Sequence, residues 1–561
     1  MSDSGGGWTR RHFLEMVGKA GGAAAVYETM TALGLINVPE AWAGPPRLPK
    51  AAQPTSVLVL GAGVGGLTAA YDLLRAGGYT VTVLEAQDRP GGRSLTARKG
   101  TKIVERSKEH GETHQECKFD EGLYLNMGPG RLPYHHRRAL HYCQELKVPL
   151  EVYVMTTTAN LFQTPDVFGK QAQINRRITY DTQGYIAELL TKAIHKNCLD
   201  QELHEGDRDK LLDLLKVFGD LGATKDCAPD AYCGSTRTGC DKPLTVYQPC
   251  EPGPKLDFHE LLQSEFWRHK FYQAMEFEWQ ATLFQPVGGM DKIVHGFVTH
   301  LPPGTIHYQC EVRHVQLNDH GVEVTYWDAK QGKEIKKTAD FCISNIPLPV
   351  LQKVKKTNFT PDFVDAINQG RFAFTCKVGW QAHERFWEND RYQIYGGISY
   401  IYDIVTQIWY PSNDYFSARG TLTGTYNYDA DAETLGAMSL KERLDVARKG
   451  GALLHPEFLD DKIVPQALGL SIAWHNIPFQ EGGWADWKSD SEPDRKAYAR
   501  LLAPDGRFFV VGDQVSTLPG WQEGAMMSAE HVLQQIAGLR PKTVPEILAA
   551  PETRRLVQGR F

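Results

Sequence analysis

The sequence lacks the features that would indicate a membrane-spanning protein, a nucleic-acid binder or a common hydrolase. None of its 561 residues belong to a run of about twenty apolar residues free of charge, so no stable membrane insertion is expected. The net charge of -6 offers no broad positive field for nucleic acid. The main basic cluster, His135 to Arg138, is interpreted as a solvated helix face. G-x-S-x-G and H-E-x-x-H motifs are also absent, so hydrolytic mechanisms built on them lack support.

Cysteine is scarce, with ten residues scattered along the chain. Four of them, Cys227, Cys233, Cys240 and Cys250, share a segment rich in Gly, Pro and Asp. Their spacing lacks the paired C-x-x-C knuckles of zinc sites, so no metal is expected. Free thiols and one or two disulfides both remain open, and export from the cytoplasm would favour disulfides.

The composition is that of an ordinary globular enzyme, with 42% hydrophobic, 10% aromatic and 23% charged residues. The N-terminal segment differs from the rest. Thr9 to Leu14 resembles a twin-arginine export signal, and Ala41-Trp42-Ala43 suits signal peptidase, although Lys19 and Glu28 interrupt the apolar region between them. We expect a periplasmic or secreted protein, with a retained leader and a cytoplasmic location as the alternative.

A dinucleotide-binding βαβ unit follows this leader. Ser56 to Leu60 is a short apolar run typical of a buried parallel strand, and Thr80 to Leu84 predicts a second strand. The glycine motif from Gly61 to Gly66 lies between them and opens a helix that continues to Leu74. Glu85 ends the second strand about twenty residues later, where a carboxylate can accept hydrogen bonds from a ribose. The helix N-terminus would stabilise the diphosphate charge.

The continuation Glu85-Ala86-Gln87-Asp88-Arg89-Pro90-Gly91-Gly92-Arg93 resembles the flavin-containing amine oxidase family, most closely its bacterial FAD-dependent L-amino acid oxidases. Further motifs follow in the family's order: Pro286 to Asp291, Cys310 to Val312, Trp474 with Pro478 and Gly482-Gly483, and Gly512-Asp513 with Gly520 to Met526. Asp513 stands where many members carry Glu, and a carboxylate for the ribityl hydroxyls is retained. The resemblance covers residues 55–130 and 280–540 well and the block between them poorly.

The resemblance implies FAD as the cofactor and assigns a set of residues to it. These are Gly61, Gly63, Val64, Gly65, Gly66, Glu85, Ala86, Arg89, Gly92, Arg93, Gly128, Pro129, Gly130, Arg131, Val312, Trp474, Gly512, Asp513, Trp521, Gln522 and Ala525.

The resemblance also implies a catalytic residue and a substrate site. Lys377 falls where the family places a lysine that holds a water near the flavin and assists reaction with oxygen. Arg131 matches the arginine that pairs with a substrate carboxylate, a task that suits the two parallel donors of a guanidinium. Tyr410 would donate a second hydrogen bond to that carboxylate. Gly520 would offer a carbonyl to the substrate amine, and Trp521 would form a wall.

The implied reaction is oxidative deamination of an L-amino acid, with large apolar or aromatic side chains favoured, to a 2-oxo acid, ammonia and hydrogen peroxide. The partners are therefore the amino acid and oxygen, in a homodimer or higher homo-oligomer. A flavin monooxygenase or dehydrogenase of amino acids and a polyamine or monoamine oxidase remain alternatives. Outside enzymes, a non-catalytic flavin-binding or carotenoid-handling relative also remains open. An oxidase of arginine or lysine also remains open, because Glu276 and Glu278, predicted to lie on a helix with Trp279, could enter the pocket.

The expected fold is α/β, with a Rossmann-like FAD domain, a mixed-sheet substrate domain and a helical insertion. The FAD domain is discontinuous, because candidate strands such as Phe341 to Ser344 and Phe508 to Val511 lie far from the first βαβ unit. The expected boundaries are a leader and linker at 1–53, an FAD domain at 54–134, 281–350 and 490–540, a helical domain at 135–280, and a substrate domain at 351–489.

Overall fold

A computed structural model describes residues 44–45, 47–199, 204, 206–223 and 226–538. The segment that resembles an export signal and the candidate cleavage site both lie outside the described residues.

A five-stranded parallel sheet gathers segments from three distant parts of the chain. Its strands run in the order Ile306–Tyr308, Tyr79–Glu85, Thr55–Leu60, Phe341–Ser344 and Phe508–Val510. The central strand reads TSVLVL and buries its last four residues, as expected where both faces of a sheet are covered. The predicted α/β class and the parallel sheet of the Rossmann type are thereby confirmed.

Helices cover one face of this sheet. Val64–Ala76 begins directly after the glycine loop and packs against the C-terminal helix Gln522–Ile536. Arg137–Glu145 and Lys292–His300 join the same hydrophobic core, which includes buried Phe297. The packing of Val64–Ala76 against Gln522–Ile536 brings two segments that are far apart in the sequence together beside the glycine loop.

The opposite face is covered by a four-stranded sheet, in the order Lys333–Ala339, Gly321–Asp328, Cys310–Asn318 and Lys355–Thr357. Helices Leu348–Leu351, Pro361–Gln369 and Glu492–Leu501 complete this second core.

A seven-stranded mixed sheet forms the other large layer. Its order is Gln173–Ile174, Leu161–Gln163, Ile398–Ile401, Gln407–Trp409, Gly420–Tyr428, Thr375–Ala382 and Gly469–Ala473. Every residue of Thr375–Ala382 is buried, because strands flank it on both sides and Asp429–Gly436 and Leu440–Gly451 contact it. This burial holds Lys377 inside the protein.

Smaller elements connect these layers. A three-stranded sheet comprises Leu132–Pro133, Leu283–Pro286 and Leu150–Tyr153, and three two-stranded sheets pair Phe372–Ala373 with Trp484–Ala485, Thr96–Ala97 with Leu125–Asn126, and Lys102–Ser107 with Gly111–Glu116.

The block between residues 135 and 280 is less helical than expected. Its long helices are Asn175–His195 and Asp207–Gly219, followed by the short Phe258–Gln263. Residues 150–174 instead supply three strands to the three-stranded and seven-stranded sheets. The spacing of charged and apolar residues within this segment does not reveal that its strands pair with distant parts of the chain. The four clustered cysteines form the disulfides Cys227–Cys233 and Cys240–Cys250.

Within the described part of the chain, no helix combines the length and apolarity needed to cross a membrane.

Candidate active site

A cavity of about 790 Å³ extends from the glycine loop to the mixed sheet. Its walls include the carboxyl ends of the parallel strands at Glu85 and Asn345, which is where open α/β sheets bind their ligands. The other end is enclosed by aromatic side chains. The cavity therefore joins a dinucleotide-type cradle to an aromatic chamber.

The glycine loop is shaped for close approach of a ligand to the backbone. Gly61 has a φ of +98°, which side chains rarely adopt. A Cβ at Gly66 would lie 2.2 Å from the carbonyl oxygen of Gly61, so only glycine fits between strand and helix. A Cβ at Gly63 would lie 2.4 Å from Nδ2 of Asn345. The N-terminus of Val64–Ala76 thus faces the cavity without side chains in the way.

Glu85 is held at the end of its strand by the loop itself. Its carboxylate accepts hydrogen bonds from the backbone N–H of Ala62 at 2.7 Å and of Gln87 at 2.8 Å. Burial raises the pKa of Glu85, and these backbone donors oppose the shift. Glu85 and Ala86 both line the cavity, so the carboxylate is positioned before any ligand binds.

Arg93 and Asp513 form a pair across the cavity wall. The guanidinium donates to both oxygens of Asp513, at 2.5 and 3.1 Å, and to the carbonyl of Gly483 at 2.6 Å. Asp513 also accepts from the backbone N–H of Gly520 at 2.8 Å. The arginine of the first cofactor motif and the carboxylate of the last one are therefore in direct contact.

Lys377 projects from the strand Thr375–Ala382 of the mixed sheet into the cavity. Its ammonium group donates to the carbonyl oxygens of Gly128 at 2.5 Å and Asn126 at 3.3 Å. It also lies 4.9 Å from the ring of Trp409 and 4.5 Å from that of Tyr426. Burial, with the nearby charge of Arg131, lowers the pKa of Lys377 to about 7. The lysine can therefore be neutral near physiological pH.

Arg131 lies in an aromatic box. Its guanidinium carbon is 4.9 Å from the centroid of Trp409, and the rings of Trp521, Trp279 and Tyr153 lie at 5.7, 5.9 and 5.9 Å. The side chain is buried, and its Nε has no hydrogen-bond partner among the described residues. Buried charges are normally paired. The guanidinium therefore keeps unused hydrogen-bonding capacity, and Arg131 lines the cavity.

Tyr410 does not reach this cavity, which corrects its expected role. Its hydroxyl is buried on the other side of the strand, 2.9 Å from Ser399 Oγ and 2.6 Å from His455 Nε2. Successive side chains of a strand point to opposite faces, and here the preceding residue, Trp409, faces the cavity. A Cβ at Gly130 would lie 3.0 Å from the Trp409 ring, so this tryptophan fills the space that a side chain at 130 would take.

Most other expected site residues line the cavity. These are Gly61, Gly63, Val64, Gly65, Glu85, Ala86, Gly92, Arg93, Gly128, Pro129, Gly130, Arg131, Val312, Lys377, Trp474, Asp513, Gly520, Trp521, Gln522 and Ala525. Gly66, Arg89 and Gly512 do not line it. Gly66 acts through packing, and Arg89 donates to the carbonyl of Gly92 at 2.9 Å, which stabilises the turn behind the cavity wall.

The basic residues His135 to Arg138 and the acidic residues Glu276 and Glu278 are also placed differently from expectation. Glu276 and Glu278 lie at a short 3-10 turn, Phe277–Trp279, and neither lines the cavity. Glu278 accepts from Nε2 of His135 at 3.0 Å and of His136 at 2.8 Å, and His136 is buried. Arg138 pairs with Glu523 and Glu530. These residues fold against one another and do not form a solvated helix face.

Several lining residues are not identified by the sequence motifs. Asn345 follows the strand Phe341–Ser344, and its position at a parallel strand end could have indicated it. Gln273, Tyr426 and Tyr428 also line the cavity. No local pattern distinguishes the two tyrosines from the other aromatic residues of this β-rich region.

The residues present fit FAD at the cradle end, because the glycines leave the backbone exposed to the cavity. A Cβ at several of these positions would collide with neighbouring protein atoms. Gly128 adds to this, since a Cβ there would lie 1.9 Å from the carbonyl oxygen of Arg93. The positions and residue types are those that diphosphate and ribose recognition require.

Comparisons with known proteins identify the family. A family model described as flavin containing amine oxidoreductase matches residues 64–537. The chain is 26% identical over 509 residues to the flavin-dependent L-tryptophan oxidase RebO of Lentzea aerocolonigenes, covering 86% of this chain and 97% of that protein. It is 23% identical over 499 residues to an L-amino-acid oxidase of Daboia russelii, covering 86% and 88%.

A solved structure of putrescine oxidase bound to putrescine superposes with a TM-score of 0.54 at 16% identity. The match covers 86% of this chain and 99% of that chain. At this identity the likeness concerns the fold.

Proposed function

Because the chain belongs to the flavin-containing amine oxidoreductase family and is an FAD-dependent oxidoreductase, we propose that it is an L-amino acid oxidase that favours large apolar or aromatic side chains. The proposal extends the family assignment to a substrate class and to an electron acceptor, oxygen.

The buried guanidinium of Arg131 carries this proposal. A cation enclosed by four aromatic rings, with Nε unpaired among the described residues, is suited to binding a carboxylate through charge-assisted hydrogen bonds. Lys377 adds a second basic group at the same end of the cavity. A simple amine has no carboxylate to satisfy Arg131, whereas an α-amino acid does.

The distribution of acidic groups favours an amino acid over a polyamine. The carboxylate side chains that line the described cavity are Glu85, Glu311, Glu481 and Asp513. Asp513 is paired with Arg93, Glu481 with Lys353 and Glu311 with Arg313. Glu85 is bound to the glycine loop. The rings around Arg131 therefore enclose no carboxylate that could bind a second ammonium group.

The aromatic chamber favours a large apolar side chain on the substrate. Trp279, Trp409, Tyr426, Tyr428, Trp484 and Trp521 all line the cavity. Apolar contact with such rings contributes binding energy without strict geometric demands. The alternative of an arginine or lysine oxidase has less support, because Glu276 and Glu278 do not line the cavity. The similarity to an L-tryptophan oxidase agrees with an aromatic substrate.

The residues of the chain would perform three tasks during the reaction. Arg131 holds the carboxylate and so fixes the orientation of the Cα–H bond. The carbonyl of Gly520, at the wall beside Asp513, is available to the substrate amine. Lys377, neutral above its lowered pKa, can hold a water by hydrogen bonding. FAD, when bound, supplies the redox chemistry by taking two electrons from the substrate and passing them to oxygen.

Product analysis distinguishes the proposed oxidase from a monooxygenase and from a dehydrogenase. The holoenzyme is incubated with each of the twenty L-amino acids, and peroxide, ammonia, 2-oxo acid and amide are measured with and without oxygen. We expect equal yields of peroxide, ammonia and 2-oxo acid, highest for tryptophan, phenylalanine, tyrosine or leucine. An amide product would indicate a monooxygenase, and turnover only with an artificial acceptor would indicate a dehydrogenase. Both results would contradict the proposal.

We further propose that the protein is exported through the twin-arginine route and acts in an oxidising compartment. The support is the motif at Thr9 to Leu14 together with the two disulfides, which persist mainly outside the cytoplasm. Cell fractionation of the producing organism tests this. Replacing both Arg10 and Arg11 by Lys should leave the protein in the cytoplasm, and an unchanged distribution would contradict the proposal.

A further inference from the structure

A cluster of two histidines and one glutamate lies behind the aromatic wall of the active site. Nε2 of His135 and Nε2 of His136 both point at the same carboxylate oxygen of Glu278, at 3.0 and 2.8 Å. The potential ligand atoms of the three side chains lie within 4.8 Å of one another. In the described part of the chain no other group of three His, Cys, Asp or Glu side chains comes this close together. We propose that this cluster is a binding site for a divalent transition-metal ion of the zinc type.

The ligand types and their number suit this ion. Zinc takes imidazole nitrogen at about 2.0–2.1 Å and carboxylate oxygen at about 2.0–2.2 Å, so tetrahedral ligand atoms lie about 3.3 Å apart. The two nitrogen–oxygen distances in the cluster need to open by only a few tenths of an ångström. Three protein ligands leave a fourth position for water. The carboxylate supplies negative charge, and neutral imidazoles accept the ion without repulsion.

The surroundings make the site rigid on one side and accessible on the other. His136 is 1% exposed, and its ring contacts that of Trp521 edge-on with centroids 4.9 Å apart. His135 stacks on Phe277 at 4.1 Å. The side chains of His135 and Glu278 are 17% and 23% exposed, so an ion can enter from solvent. The two histidines are adjacent in the chain, so a single segment supplies both imidazoles to Glu278.

The Nδ1 atoms of the two histidines limit the affinity of the site for the metal ion. A metal-bound Nε2 carries no proton, so each neutral ring must hold its proton on Nδ1. Both Nδ1 atoms are buried and have no hydrogen-bond partner among the described residues. Loss of such a partner weakens metal sites about 10- to 100-fold. We therefore expect reversible binding that a chelator removes, weaker than at a fully built structural zinc site.

The site is distinct from the catalytic cavity but adjoins its wall. Trp279 directly follows Glu278, and its ring lies 5.8 Å from that of Trp521. Both rings pack around Arg131. A bound ion would hold residues 135–136 against the turn at 277–279. It would thereby restrain Trp279 and Trp521, whose rings pack around Arg131.

Metal stoichiometry of the FAD-loaded protein tests the proposal. The tag-free holoenzyme is stripped with a chelator and equilibrated with Zn²⁺ by dialysis, and the metal content is measured by elemental analysis. We expect the wild type to bind one more ion per chain than Glu278→Gln and His136→Gln, with His135→Gln as a further variant should either fail to fold. Flavin absorbance verifies that each variant keeps its cofactor.

A matched control is His195→Gln, which breaks a surface pair between His195 Nε2 and Asp230 at 3.1 Å. This control should retain the full zinc content. X-ray absorption of the bound zinc should show two imidazole ligands with additional oxygen. Equal zinc content in the wild type and Glu278→Gln, or no zinc retained by the wild type, would overturn the proposal.

Discussion

At the scale of single residues, the proposed activity depends on one buried cation. Arg131→Met keeps a long apolar side chain in the aromatic box but removes the partner of the substrate carboxylate. We expect kcat/KM for L-amino acids to fall by a factor that corresponds to a loss of about 3–5 kcal/mol of transition-state stabilisation, the usual cost of breaking a buried charge pair. Steady-state kinetics on the FAD-loaded variant measure this loss. A change of less than tenfold would show that the carboxylate is bound elsewhere.

The lowered pKa of Lys377 gives a second residue-level prediction. A lysine of the unfolded chain has a pKa of about 10.4, whereas in the folded protein it is about 7. The folded state therefore bears the full cost of the buried charge below pH 7, and this cost disappears as the pH rises toward 10. Lys377→Met should raise the thermal unfolding midpoint relative to the wild type more at pH 7 than at pH 10.

The control for this comparison is Lys336→Met, because Lys336 lies on the surface with 67% of its side chain exposed. Its effect on the midpoint should not vary with pH in the same way. A Lys377→Met difference that is independent of pH would contradict the lowered pKa.

At the scale of elements, the strand–glycine–helix unit sets the cradle. In Gly66→Ala the new Cβ would lie 2.2 Å from the carbonyl oxygen of Gly61. Overpacking of this kind costs about 1–3 kcal/mol, and the displaced loop should also bind FAD less well. Thermal unfolding and the ratio of flavin to protein absorbance measure the two effects. Gly253→Ala, where the nearest atom lies at 3.6 Å, should leave both unchanged; equal behaviour of the two variants would refute the packing argument.

A buried ion pair links the hairpin Lys102–Ser107 and Gly111–Glu116 to the mixed-sheet layer. Arg443 donates to both oxygens of Glu105, at 2.9 and 2.8 Å, and Glu105 also accepts from the backbone of Ala473. Both side chains are almost fully buried. Glu105→Gln should destabilise the protein by about 3–5 kcal/mol, since it leaves the guanidinium without its counter-charge.

Chemical denaturation measures this change. Glu112→Gln is the matched control, because Glu112 forms an exposed pair with Arg106 in the same hairpin. We expect no measurable change in that variant. If both substitutions had similar effects, burial would not be the cause.

Elements with a strong local pattern could be predicted from the sequence. Strands that depend on pairing with distant segments of the chain could not. The strand Thr55–Leu60 and the helix after the glycine loop follow from apolar runs and a motif with a fixed geometry. The strands between 150 and 174 depend on pairing with segments far along the chain, such as Ile398–Ile401. The error at Tyr410 was one of strand facing, since a shift of one residue exchanges the two faces. The role of Trp409 likewise became visible only in three dimensions.

At the scale of the whole molecule, one cavity joins two layers with different tasks. The parallel sheet and its glycine loop form the cradle for FAD, and the mixed sheet supplies Lys377 and the aromatic chamber. Arg131 directly follows the segment Gly128 to Gly130, and all four residues line this cavity. Under the proposed function, recognition of the substrate carboxylate is the property that would separate this protein from oxidases of simple amines.

Anaerobic flavin reduction by an amino acid and its decarboxylated counterpart tests that property most directly. The holoenzyme is mixed with L-tryptophan or tryptamine, and with L-phenylalanine or phenethylamine, while the loss of flavin absorbance is followed. We expect rapid bleaching by at least one amino acid, at least about a hundredfold slower bleaching by its amine, and loss of that preference in Arg131→Met. Equal or faster bleaching by the amines in the wild type would contradict the central claim.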